Sequence, residues 1–164
     1  MFTITSSAFA AGTAIPERHT CDGVQQSPPL SWRDAPNGTE SFALIVDDPD
    51  APDPAAPTRT FVHWVLYNIP ADVSGVSDGA SPHRLPDDAL EGMNDADARG
   101  YTGPCPPIGV HRYFHKLYAL DTSLADLGSN ATKADLERAM EGHVLGTAEL
   151  IGTYEKDERV KDDA

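Results

Sequence analysis

Three apolar runs of strand length constrain this chain more than anything else in it. Ser41-Phe42-Ala43-Leu44-Ile45-Val46 is continuous and stops at Asp47-Asp48-Pro49, which reads as a central strand running into a loop. Thr60 to Ile69, TFVHWVLYNI, is apolar on both faces and rich in aromatic and β-branched residues, and Pro70 ends it. His111 to Leu120, HRYFHKLYAL, is the third. Alternation in Phe2-Thr3-Ile4-Thr5 adds a first strand, and Val144 to Tyr154 returns to strand near the end. One helix is expected over Ala131 to Gly142. Thr132 and Asp135 form a capping-box pattern there, and Leu136, Ala139, Met140 and His143 recur at helical spacing. Residues 70–110 are crowded with Pro, Gly and Asp, a long connection of the kind that often carries function. With 13 Gly and 14 Pro, the chain is a turn-rich, mainly β protein rather than a bundle.

At 164 residues the chain has the size of one domain. Residues 1–156 are read as that domain and 157–164 as a charged, frayed tail. The formal net charge is −14, which repels nucleic-acid phosphates and anionic membranes, so neither is an expected partner. Asp outnumbers Glu 18 to 8 and Arg outnumbers Lys 8 to 4. That balance suits concentrated salt, where a Debye length of about 3 Å at 1 M makes self-repulsion tolerable. No apolar run approaches the roughly 18 residues of a membrane span. The start, MFTITSSAFAAGTAIPERH, lacks the basic and apolar parts of a signal peptide. A cytoplasmic setting is therefore expected. Cys21 and Cys105 are then read as reduced thiols, with a bridge as the minority alternative.

Chemistry is sought where polar residues end apolar strands. Asp48 and Asp50 follow the first run, His63 lies inside the second, and His111 and Tyr113 open the third behind the Gly/Pro-rich GYTGPCPPIGV. Alternation puts His111, Tyr113 and His115 on one face and Arg112, Phe114 and Lys116 on the other. Such a set would make a small polar pocket, although a strand His is more often a core residue and an Asp pair beside Pro more often a turn. His115 and His143 are left structural. His111 and His115 stand roughly 13 Å apart on a strand, too far to share one metal ion, and no metal or cofactor is expected. Cys105 between two prolines opens no helix that would activate a thiolate, and GxSxG, P-loop and dinucleotide fingerprints are absent.

Together these segments are far more specific than their parts. SPPLSW (27–32), SFALIVDDPDAP (41–52), FVHWVLYNIP (61–70), GYTGPCPPIGVHRYFHKLYALD (100–121) and GTAELIGTYEK (146–156) occur in one order. That order resembles the phosphatidylethanolamine-binding protein family across residues 1–156. The GPCPP loop and TCDG at 20–23 resemble its bacterial and archaeal branch, the one described as Raf-kinase-inhibitor-like. The resemblance implies an antiparallel β-sandwich with one main helix near the C-terminus, short helical turns, and an anion pocket at one end. Asp48, Asp50, His63, His111 and Tyr113 would line it, with backbone from Gly103 to Pro107, including Pro106. On this reading His63, His111 and the Gly103 loop donate N–H groups to the anion, and an Asp orients an imidazole. The expected function is non-catalytic binding of a phosphate or carboxylate on a small ligand or a protein partner. A hydrolase using the His/Asp/Tyr set is the alternative, and a homodimer stays open. Cys21 and Cys105 are expected near each other on the pocket side, and one X-Pro bond within 48–52 or 105–107 is expected to be cis.

Overall fold

Strand β3 (Ser41–Ala51) lies between β4 (Arg59–Pro70) and β7 (His111–Leu120), antiparallel to both. A computed structural model describes residues 1–156, and the tail expected at 157–164 lies outside the described residues. β6 (Leu90–Glu91) and β8 (Val144–Tyr154) complete a five-stranded sheet in the order β6-β4-β3-β7-β8. A smaller sheet, β1-β2-β5, joins Thr3–Thr5, Leu30–Arg33 and Gly75–Val76. The expected antiparallel sandwich is the observed architecture. One short helical turn spans Glu17–His19.

The apolar runs are continuous because the large sheet is covered on both faces. Phe42, Leu44 and Val46 point between the sheets, meeting Ile4, Leu30 and Trp32 of the small sheet together with Trp64, Leu66 and Leu117. Ala43 and Ile45, one residue out of phase, meet Val65, Tyr67, Leu136 and Met140 on the opposite face. Leu136 and Met140 stand four residues apart on helix α1 (Lys133–Met140), whose single apolar stripe they form. The helix is shorter than the expected 131–142, and Thr132 caps it. Its hydroxyl accepts from the Asp135 N–H, and the Asp135 carboxylate accepts from the Thr132 N–H. Lys133 and Lys116 both donate to Oδ2 of buried Asp47, at 2.8 and 3.1 Å, pinning the start of the helix to the sheet.

Two departures from regular pairing matter for the site. β3 does not stop at Asp47. It runs on through Asp48, Pro49 and Asp50 to Ala51, with a register shift between Asp48 and Ala51. A second shift takes the β3–β4 register from Val46↔Trp64 to Asp47↔Val62, inserting one extra residue at His63. Such a bulge re-aims a side chain. Val62 and Val65 face the helix and Trp64 faces the small sheet, while the His63 ring packs 5.2 Å from that of Tyr113 on the inter-sheet side. Residues 70–110 hold only the short β5 and β6 between turns.

Leu44 is fully buried between the sheets, so Leu44→Ala is expected to lower the unfolding free energy by about 3 kcal/mol. Thr132→Ala, which removes the helix cap, should cost about 1 kcal/mol. Urea melts with unchanged m-values check both, and a Leu44→Ala loss below that of Thr132→Ala would contradict the packing described.

Candidate functional site

At the end of the sandwich where β3 bulges, three neighbouring strands and two loops enclose a cavity of about 490 Å³. β4 contributes Arg59, Phe61 and His63, at the two-residue spacing of one strand face. β7 contributes His111 and Tyr113, and β3 contributes Asp48 and Ala51. The lips are Cys21 and Gln25 on one side and Thr102, Gly103, Cys105, Pro106 and Pro107 on the other. The lips touch closely. A Cβ on Gly103 would lie 2.4 Å from the carbonyl oxygen of His19, so only glycine lets the two segments meet there. The Cys21 N–H donates to Pro104 O at 3.1 Å, and the Tyr101 hydroxyl donates to His19 O at 2.7 Å.

The donors and acceptors are distributed differently from the sequence expectation. His111 is 1% exposed. Its Nε2 faces the carbonyl oxygens of Ile108 at 2.9 Å and Pro52 at 3.1 Å, so that nitrogen must carry a proton and donate. Its Nδ1 lies 2.5 Å from Asp48 Oδ2, and Asp48 Oδ1 accepts from the Asp50 N–H at 2.7 Å. Burial pushes the Asp48 carboxyl up, partly countered by its bond to His111. One further proton is shared in this pair. Whether it sits on oxygen or nitrogen, the pair is net neutral, and His111 has no N–H left for a ligand. The expectation that His111 donates to an anion is thereby corrected, while an Asp does orient its imidazole.

His63 is likewise no cationic donor. Its Nδ1–H donates to Thr102 O at 2.8 Å, and burial pushes its pKa down to about 4. The ring is neutral at pH 7, which leaves Nε2 as an acceptor without a protein partner among the described residues. The Tyr113 hydroxyl also has no such partner, and burial together with the nearby Asp48 keeps it protonated, well above the usual phenol range. The Gly103 N–H, expected to face a ligand, donates to Gln25 Oε1 at 3.1 Å instead, leaving the Gln25 amide NH₂ as a donor.

Asp50 does not line the cavity. It holds Arg112 by two side-chain bonds, at 3.0 and 2.9 Å, and accepts the Arg112 N–H at 2.9 Å. The guanidinium holds the Asp50 carboxyl below its usual range. The cation that does line the cavity, Arg59, lies 5.1 Å over the Phe61 ring and 3.6 Å from Asp95. Arg59, Phe61 and Gln25 were missed from sequence, although Arg59, Phe61 and His63 alternate at period two. His115 donates from Nδ1 to backbone carbonyls, and His143 pairs with Asp121 at 2.8 Å on the surface; neither lines the cavity. Among the described residues no group of three His, Cys, Asp or Glu could hold a metal ion.

Cys21 and Cys105 form a disulfide across the lips, with Cα atoms 5.4 Å apart. Their proximity is as expected, but the reduced-thiol reading is corrected. That reading followed from compartment alone, whereas the Cys21–Pro104 backbone bond already brings the two Cα atoms within bridging range. The expected cis bond is Ala51–Pro52, and a second lies at Ser81–Pro82.

Fold and cavity together describe a sandwich with a small cavity at one end of its central strands. The phosphatidylethanolamine-binding protein family model matches residues 5–155, and the chain belongs to that family. A UPF0098 protein of Methanothermobacter thermautotrophicus is 51% identical over 154 residues, covering 93% of this chain and 98% of its own length. One from Chlamydia trachomatis is 45% identical, covering 94% and 99%. The crystal structure of a phosphatidylethanolamine-binding protein homologue from C. trachomatis superposes with a TM-score of 0.86 at 44% identity, covering 95% of this chain and 98% of that one. E. coli YbcL gives 0.86 at 34% identity, covering 95% and 99%.

Two predictions follow from the buried groups and the bridge. Burial lowers the pKa of His63 and His115 to about 4, whereas both titrate near 6.5 once unfolded. Protons therefore bind the unfolded chain first, and stability that is complete above about pH 6.5 falls as the pH drops toward 4. The full loss is about 3 kcal/mol per ring, offset in part by Asp48, whose raised pKa acts in the opposite sense. Urea midpoints that do not fall between pH 6.5 and 4.5 would contradict this. The bridge spans a sequence separation of 84 residues, so its reduction should cost about 4.5 kcal/mol on the chain-entropy model. Thiol counts without reductant should be zero, and melts with and without dithiothreitol measure the difference.

Proposed function

We propose that this chain is a non-catalytic ligand-binding protein that takes a small acid group, phosphate or carboxylate, into the cavity beside His63 and Tyr113. One observation carries the reading. Two polar atoms of otherwise buried residues, His63 Nε2 and the Tyr113 hydroxyl oxygen, border an open cavity without protein partners among the described residues, so both are available to a ligand. An acid group that keeps one proton matches them, a phosphate monoanion directly and a carboxylate by taking up a proton shared with Nε2, its O–H donating to Nε2 and its second oxygen accepting from the tyrosine. Arg59 at the rim supplies the countercharge, and Gln25 a further donor. Membership of a family named for binding a phospholipid supports a ligand role of this kind. The same cavity would accept an acidic or phosphorylated group presented by a protein partner.

Turnover is the weaker reading. The lining includes no Ser, no Lys and no free Cys, and the protons of the Asp48–His111 pair are held by each other and by backbone carbonyls. Nitrogen-15 NMR titration with acetate and with phosphate, at constant ionic strength, tests the proposal. Resonances around His63, Thr102 and Tyr113 should shift, and Arg59→Ala should weaken binding about fivefold, as expected for a half-exposed charge pair. Shifts confined to other regions, or hydrolysis of simple phosphate or carboxylate esters that is lost in His63→Gln, would overturn it.

A further inference from the structure

The cavity is much larger than the acid group it is proposed to hold. About 490 Å³ falls within the roughly 300–1,000 Å³ of sites that enclose drug-sized ligands. A phosphate ion would leave most of that space to water. The remaining walls are apolar, formed by Ala51, Pro52, Phe61, Ala96, Pro106 and Pro107. Val24, Ile108 and Val110 are exposed, at 75%, 56% and 51%. Val24 and Ile108 adjoin the lining residues Gln25 and Pro107 in sequence and Val110 adjoins His111, so exposed apolar residues flank the lining segments.

Charge narrows the choice further. The buried side of the cavity holds no fixed cation: His63 is neutral, and the Asp48–His111 pair is net neutral. Arg59, the cation of the lining, is half-exposed and already 3.6 Å from Asp95. A phosphate dianion entering here would give up hydration for one shared guanidinium, a losing exchange, in a chain of net charge −14, and the phosphate monoanion, though singly charged, brings no apolar body to the walls. A single carboxyl group asks for one charge at most, and an apolar body repays the walls.

Resting on the acid-site reading above, we propose that the cavity selects monocarboxylic acids with an apolar body of about six to ten carbon atoms over inorganic phosphate. The carboxyl lies at His63 and Tyr113. The body runs along Phe61 and Pro107 toward Val24, Ile108 and Val110.

Calorimetric titration of the whole chain at pH 7 and fixed ionic strength tests this, with acetate, hexanoate, octanoate, phenylacetate, inorganic phosphate and octylamine as probes. Each buried methylene should tighten binding about fourfold, so octanoate should bind at least about 30-fold more tightly than acetate even if only two or three of its additional methylenes are buried. Hexanoate and phenylacetate should both exceed phosphate. Phe61→Ala should cut the octanoate-to-acetate ratio about fivefold, and the wild-type series carries the test should that variant not fold. Phosphate binding as tightly as octanoate, octanoate no tighter than acetate, or octylamine equal to octanoate would each overturn the selectivity while leaving an acid site in place. If no acid of either kind perturbs the His63 and Tyr113 resonances, the acid-site reading fails as well.

Discussion

Everything in this fold hangs on β3 being satisfied in four directions at once. Its two edges are hydrogen-bonded to β4 and β7, and its two faces are buried, one under the small sheet and one under helix α1. A strand enclosed in this way has no register freedom, since a slip of one residue would exchange the residues of its two faces. The rigidity is inherited by the cavity. Asp48, His63, His111 and Tyr113 come from three adjacent strands, so the spacing of the sheet holds them together and no loop has to be ordered to assemble them. The loops add only the lips.

The Asp48–His111 pair sets the electrical character of that end. A buried carboxylate alone would repel any acid, and a buried imidazolium alone would attract all of them. Joined, and with every other polar valence used on backbone, they form an uncharged plug beneath the cavity. What faces the buried part of the space is then a neutral imidazole, a phenol and hydrocarbon, with Arg59 and Gln25 at the rim. Discrimination in such a place rests on shape, on single hydrogen bonds and on the cost of desolvation rather than on charge attraction.

Much of this was legible in the sequence, and the failures have identifiable causes. Strands β1, β3, β4, β7 and β8 and the capped helix followed from hydrophobic periodicity and the Thr132–Asp135 spacing, because these encode local geometry directly, whereas β2, β5 and β6, two to four residues each, are too short to show a period. Four of the five pocket side chains named from sequence do line the cavity. Asp50 does not, because two residues share a strand face only while the register is regular. The irregularity between Asp48 and Ala51 turns Asp50 toward Arg112. The bulge at His63 was invisible for the same reason, since no residue type announces an extra residue in a ladder. Which nitrogens are free was also beyond the sequence. The commitments of His111 and Gly103 depend on Ile108, Pro52 and Gln25, which only the folded chain brings near. Arg59 was the avoidable omission, as it continues the alternation of Phe61 and His63.

The placement of β3 also governs how the chain is made. Its partner on one side, β4, follows after a short loop, but its partner on the other side, β7, lies roughly seventy residues downstream, a strongly non-local pairing. On the ribosome, β3 and β4 can form their hairpin long before β7 has left the exit tunnel. Until then the most apolar strand of the protein presents an open edge and, because α1 follows β7, one uncovered face, the arrangement that invites pairing with another nascent chain. The strand that makes the finished molecule rigid is thus the one whose synthesis most needs shielding, and the Asp47-Asp48-Pro49 that interrupts its apolar run places two charges and a proline on that waiting edge.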